Sequence, residues 1–183
     1  MMLAYKGFDP GLKCRGYQFV MGLNETDKAN CAENGFHCAE DPLDCLTYYS
    51  NMDHAEYYLV NAGGDVDEDA IDSKISCTEL TILRKLNKTE FFLHALAYMV
   101  DHPKRKPNGK VSAETGKATR GYAIVRGVDP RACGNKGDIL AFAKEAPKSK
   151  RIIQIGLTEV DGVKVLPGKW YDIDFKERKV VEK

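Results

Sequence analysis

Apolar and polar residues alternate along this chain in two periods, and the period predicts the element. Leu3 to Phe8, Cys14 to Gly22 with Tyr17 and Phe19 on one face, Phe36 to Ala39, and Glu56 to Asn61 are short β-forming runs bounded by turn residues such as Asp9-Pro10-Gly11, Asn34-Gly35 and Ala62-Gly63-Gly64. Four strands are predicted there. Asn24 to Asn34 is polar and reads as a loop or one irregular helical turn. In Lys74 to Ile82, Ile75 and Cys77 alternate and Leu80 and Ile82 follow after a shift, which fits strands with a bulge and leaves a helix through Leu86 open. Two stretches have helical spacing. Leu43, Leu46 and Tyr49 follow Asp41-Pro42, where aspartate caps a helix start and proline at the first helical position loses no hydrogen bond. Thr89 to Asp101 carries a stripe of Phe91, Phe92, Ala95, Leu96, Met99 and Val100, with Asn87 and Glu90 spaced as a capping box and Pro103 as the stop.

Beyond Gly121 the pattern is β-like. Strands are predicted over Gly121–Arg126, Asp138–Lys144, Arg151–Val160, Val163–Leu166 and Trp170–Phe175, with Asp161-Gly162 as a type I′ hairpin turn. The fold class expected is α+β. Residues 1–102 form a mixed N-terminal subdomain with two helices packed on short strands, residues 103–120 a flexible basic linker, and residues 121–183 a C-terminal antiparallel β-meander.

Local charge marks two segments. Asp65, Asp67, Glu68, Asp69 and Asp72 make an acidic loop between strands, a candidate protein-contact patch. It is no EF-hand, because the sixth and twelfth positions counted from Asp65 hold Ala70 and Ser76 instead of glycine and glutamate. Lys104, Arg105, Lys106, Lys110, Lys117 and Arg120 stand among small residues and proline, with Glu114 the one acid. No aromatic residue lies within that segment, so any nucleic acid it touches is held through phosphates and not through stacked bases.

Composition narrows the chemistry. At 183 residues and 43% apolar content the chain buries one good core or two small ones without metal or disulfide. Lys and Arg total 27 and Asp and Glu total 27, so net charge does not nominate nucleic acid as a partner. No apolar run is long enough to span a bilayer and the first residues lack a signal-peptide core, which predicts a reducing cytoplasm and free thiols for the six cysteines. Cys31, Cys38 and Cys45 are seven apart, with His37 and His54 nearby, a spacing unlike the close pairs of zinc sites. A Cys–His nucleophile pair stays open, since its members need meet only in space. His94 and His102 suit a helix flank and a helix C-terminus. Walker, GxSxG and HExxH signatures are absent, so no catalytic residue, metal ligand or cofactor is assigned.

Two resemblances follow from particular residues. The order of elements around Tyr5-Lys6-Gly7, then Gly35-Phe36-His37-Cys38-Ala39 leading into a helix and a tyrosine-rich strand, resembles compact ADP-ribosyltransferases; His37 stands where those enzymes carry a tyrosine or serine motif. Longer phrases, Ala4-Tyr5-Lys6-Gly7-Phe8-Asp9, Cys14-Arg15-Gly16-Tyr17-Gln18-Phe19, Gly35 to Asp44, and Val160-Asp161-Gly162 with Pro167 and Trp170-Tyr171, resemble a family of small phage and prophage proteins. A chain of this length resembles the anti-CRISPR proteins that block a type II effector nuclease. That resemblance implies a viral, non-catalytic inhibitor in the host bacterial cytoplasm that binds the effector with its guide RNA; local charge makes the acidic loop the candidate contact with the effector and the basic segment a candidate hold on DNA. The transferase resemblance implies an enzyme modifying a host protein, and an accessory phage protein is the third alternative.

Overall fold

The computed structural model describes residues 2–29, 34–68 and 73–180. It divides into two compact units, Met1–Asn87 and Lys88–Lys183. Strands make up 51% of it and helices 12%, so the α+β expectation holds in a form dominated by β-structure.

Unit 1 comprises β1 (Met2–Phe8), β2 (Lys13–Cys14), β3 (Tyr17–Gln18), β4 (Gly22–Glu25), β5 (Phe36–Ala39), the short helix α1 (Cys45–Tyr48), β6 (Glu56–Glu68) and β7 (Lys74–Leu86). β1 lies antiparallel to β6 from Met2↔Ala62 to Phe8↔Glu56, and β6 returns antiparallel on β7. β7 carries β5 over Lys74–Cys77 and β4 over Glu79–Ile82, while β5 meets β1 at Tyr5↔Ala39. The pairings therefore close a circuit, β1–β6–β7–β5–β1. Inside it, alternate residues of each strand form one cluster with Ala4, Phe8, Val60, Ile75, Leu80 and Ile82 at its centre. Burying each large member contributes about 1.5–3 kcal/mol.

Three expectations for this half change. β6 does not stop at Ala62-Gly63-Gly64 but runs on to Glu68, its register slipping between Gly63 and Val66, and the Thr78 hydroxyl takes the Asp65 N–H at 2.9 Å. Asp65 to Glu68 therefore belong to a strand and not to a free loop; Asp69 and Asp72 lie outside the described residues. β4 takes Asn24 into a strand despite its polarity. Its Nδ2 donates to the Val20, Gly22 and Leu80 carbonyls at 2.9, 3.1 and 3.2 Å, so the buried amide is satisfied. The third change concerns the second helix, which belongs to unit 2.

Unit 2 comprises α2 (Lys88–Asp101), β8 (Val111–Lys117), β9 (Tyr122–Cys133), β10 (Ile139–Glu145), β11 (Ile152–Glu159), β12 (Trp170–Asp172) and β13 (Glu177–Arg178). The sheet order is β11-β10-β9-β12-β13, with β8 also on β9. Leu140 and Phe142 of β10 join Ala123 and Val125 of β9 in one core cluster. Their neighbours face the other way: Ile139 aligns with Tyr122, Ala141 with Ile124 and Ala143 with Arg126. α2 lies against that second face, its Phe92 ring 5.0 Å from Tyr122, and buries Phe91, Phe92, Ala95, Leu96 and Met99. The apolar stripe thus ties α2 to the C-terminal sheet, which is why the units divide at Asn87 and not at residue 102.

The flexible linker expected over residues 103–120 is also corrected. Its second half is β8, paired along β9, and the Glu114 carboxylate accepts the Val128 and Asp129 N–H groups at 2.9 and 3.1 Å. Backbone pairing orders this polar segment where side-chain burial alone would not. The antiparallel meander is corrected to a mixed sheet, because β9 runs parallel to both β8 and β10. Nor does Asp161-Gly162 turn a hairpin. One oxygen of the Asp161 carboxylate accepts the N–H groups of Val163, Lys164 and Val165 at 2.8, 2.8 and 3.0 Å and rolls them into a loop that buries Val165. Arg126 is enclosed on the α2 side of the sheet. Its Nε meets Glu145 at 2.6 Å, and one Nη2 donates to the carbonyls of Pro103 at 2.6 Å and Lys150 at 3.1 Å.

Candidate functional site

In unit 1 the local sequence presents several cationic and aromatic side chains to one cavity. β2 and β3 are joined by Arg15-Gly16, and both residues have positive φ, 47° and 81°, the geometry of a type I′ turn. That turn carries Arg15 at its tip. Tyr17, beside it, rests on Phe19 and Phe36 with ring centroids 4.6 and 5.2 Å away. β1 contributes Lys6, which is only 5% exposed. The Lys6 ammonium donates to the His37 carbonyl at 2.5 Å and lies 5.3 Å from both the Phe8 and the Phe19 ring.

The far wall follows from the helix start at Asp41-Pro42, as expected. The Asp41 carboxylate accepts the Leu43 N–H at 2.9 Å, and Pro42 to Asp44 form a 3-10 turn that leads into α1. Leu43 and Leu46 are fully buried beneath it. Ser73 fastens the start of β7 to this turn, its hydroxyl donating to Asp44 at 2.6 Å and accepting the Asp41 N–H at 2.9 Å. Lys74 is thereby set 5.9 Å from the Tyr48 ring. Gly7 is required for close approach, since a Cβ there would stand 2.6 Å from the Tyr49 ring. Tyr49 in turn donates its hydroxyl to the Cys14 sulfur at 3.1 Å.

The cavity between these walls measures about 740 Å³ and among the described residues is lined by Lys6, Arg15, His37, Lys74 and the rings of Tyr17 and Tyr48, with Asp9 and Asp44 as the described carboxylates. Burial holds the His37 imidazole below its ordinary value, and the charges of Lys6, Lys74 and Arg15 lower it further. Residues 1–87 carry 7 Lys and Arg against 15 Asp and Glu, a net charge of −8, yet three of those seven cations face this one space. An anion placed there would relieve their mutual repulsion.

The thiols divide by environment. Cys38 is pushed well up by its hydrogen bond to Cys77 and by burial, and burial pushes Cys45 up to about 12, so neither offers a thiolate at neutral pH. Cys14 is half-buried on the cavity wall, and Cys31 lies outside the described residues. Among the described residues no three His, Cys, Asp or Glu side chains converge as a metal site, and no helix is long and apolar enough to cross a membrane.

The residues nominated from local charge lie elsewhere. Asp65 and Asp67 are exposed near the end of β6 and Glu68 closes that strand. Lys104, Arg105 and Lys106 are exposed just after α2, Lys110 precedes β8, Lys117 ends it and Arg120 occupies the next turn with φ 58°. These six are therefore spread over the turn after α2 and the two ends of β8 and do not form one arm. Sequence reading missed Lys6, Arg15 and Lys74 as a group. They are distant in the chain, and the one local signal was the Arg15-Gly16 turn.

A family model described as a domain of unknown function (DUF7666) matches residues 2–94, a span that includes every lining residue of the cavity. No curated protein and no solved structure matches the chain.

Proposed function

The chain belongs to that family, and from the cavity inside the matched residues we propose that it binds a small anionic molecule bearing a planar ring. The observation that carries this is the convergence of Lys6, Arg15 and Lys74 around His37 in a unit of net charge −8. Tyr17 and Tyr48 offer ring faces beside that positive end, and a volume of about 740 Å³ suits a ligand of nucleotide size. Calorimetry with AMP, NAD and inorganic phosphate tests the reading. Binding weakened at least about tenfold by Arg15→Glu and by Lys74→Glu supports it, tenfold being about 1.4 kcal/mol. Absence of binding to all three, or affinity indifferent to both variants, removes it. The transferase alternative uses the same cavity, because Gly35 to Ala39 line it. An enzyme would consume NAD, and a receptor would return it unchanged.

A second reading, inhibition of a type II CRISPR effector nuclease by binding, is favoured by the exposure of Asp65 and Asp67 near the end of β6. Carboxylates so placed complement the lysine- and arginine-lined channels of such an effector. Titrating the protein against guide-loaded effector then gives inhibition that saturates at a fixed molar ratio. The joint substitutions Asp65→Lys, Asp67→Lys, Glu68→Lys and Asp69→Lys abolish it; a titration unchanged by them discards this reading.

A further inference from the structure

The two units are oppositely charged. Residues 88–183 carry 20 Lys and Arg against 12 Asp and Glu, a net charge of +8 concealed in a chain whose total is zero. Part of that excess is gathered by the fold. Arg126 donates from one nitrogen to the Pro103 and Lys150 carbonyls, which brings the turn after α2 against the turn between β10 and β11. The first turn carries Lys104, Arg105 and Lys106 and is closed by Arg105 N–H on the His102 carbonyl at 3.1 Å. The second carries Lys148, Lys150 and Arg151, with Ala146 N–H on the Arg151 carbonyl at 2.9 Å and Lys148 at φ 59°. All six cations are exposed. Glu145, the carboxylate at the junction, is already paired with Arg126, and Asp101 at the end of α2 is the nearest acid along the chain.

We propose that these two turns form a single basic patch, Lys104–Lys106 with Lys148, Lys150 and Arg151, that binds the phosphate backbone of duplex nucleic acid without reading its sequence. Six positive side chains on two short, internally bonded turns are pre-organised for a row of phosphates. The turns hold no Phe, Tyr or Trp and no large apolar side chain to enter a bilayer, and their one exposed ring, His102, is already stacked on Tyr98 with centroids 4.2 Å apart, which favours a duplex over a single strand or a membrane. The patch stands independently of the cavity in unit 1.

The test is fluorescence anisotropy of a labelled 20-base-pair DNA duplex with the full chain, titrated across a range of NaCl. Each neutralised phosphate contact contributes about 0.9 to the slope of log K against log salt. The variant Lys148→Gln/Lys150→Gln/Arg151→Gln is expected to lower that slope by about 2 to 3, and Lys104→Gln/Arg105→Gln/Lys106→Gln to do the same. All six side chains are exposed, and circular dichroism verifies that each variant stays folded. The proposal is overturned if the duplex is not bound, if only one of the two turns changes the slope, or if anionic vesicles or single strands bind more tightly than the duplex.

Discussion

Replacing Arg126 by leucine isolates the interaction that joins the two basic turns. The wild-type guanidinium is only 4% exposed and makes three hydrogen bonds, to Glu145, Pro103 and Lys150. Leucine keeps much of the apolar packing and removes all three. The two carbonyls regain water at the surface and cost little. Glu145 does not fare as well, for its partner is gone and its side chain is 22% exposed. Breaking a fully buried pair costs about 3–5 kcal/mol, and discounting for the partial exposure of Glu145 leaves about 2–3 kcal/mol. Trp170 is the only tryptophan and lies in β12, so its fluorescence reports the unfolding of unit 2. The Trp170 transition of Arg126→Leu is expected to midpoint about 10 °C or more below wild type. In a double-mutant cycle, Glu145→Gln should recover about 1 kcal/mol in the leucine background, because it removes the stranded charge. A fall of less than about 1 kcal/mol, or no coupling with Glu145→Gln, would refute the claim that Arg126 holds the turns together.

Other consequences follow from the cavity and its walls. Sulfate binding should strengthen as pH falls from about 7.5 to about 5, because His37, held below its ordinary 6.5, gains its proton more easily once an anion offsets Lys6, Lys74 and Arg15; pH-independent binding contradicts that electrostatic account. The same depressed value makes the unliganded fold favour neutral His37, so its contribution to stability is present above 6.5 and is lost as pH falls through the folded value, and His37→Gln should flatten that part of a pH–stability profile. Asp41→Ala removes the cap on the 3-10 turn and should cost about 1 kcal/mol in urea unfolding followed by circular dichroism; no loss would mean that the Asp41–Leu43 bond is dispensable. Gly7→Ala must push the Tyr49 ring away from a Cβ otherwise 2.6 Å off, costing about 1–3 kcal/mol and speeding alkylation of Cys14; an unchanged rate would contradict the close packing.

How much of this was legible depends on where the information lies. Asp41-Pro42 announced its turn because capping is settled by adjacent residues, and the stripe from Phe91 to Met99 announced α2 because burial follows the helical period. What α2 buries against was not legible. Its partners, Tyr122 and the β10–β11 pair, come later in the chain, and periodicity carries no address. Val111–Lys117 looked disordered by composition, yet its order comes from β9 and from Glu114 bonding across to Val128 and Asp129. Asp161-Gly162 failed as a hairpin because a carboxylate competed successfully for three N–H groups. The cavity was least visible of all: Lys6, Arg15 and Lys74 converge only once β1, the β2–β3 turn and β7 are placed, and the zero net charge hid the −8 and +8 of the two units.

The closed circuit of unit 1 also governs the order in which the chain can acquire its structure. β1 leaves the ribosome before the other strands of unit 1, but its partners lie in β5 and in residues 56–62. Until those emerge, Met2–Phe8 is an unpaired strand bearing Ala4 and Phe8. β6 and β7 are neighbours in sequence and pair through a short connection, so their hairpin is the local event and the docking of β1 the distant one. A nascent chain halted before residue 56 therefore carries an open strand edge that only its own later sequence can cover.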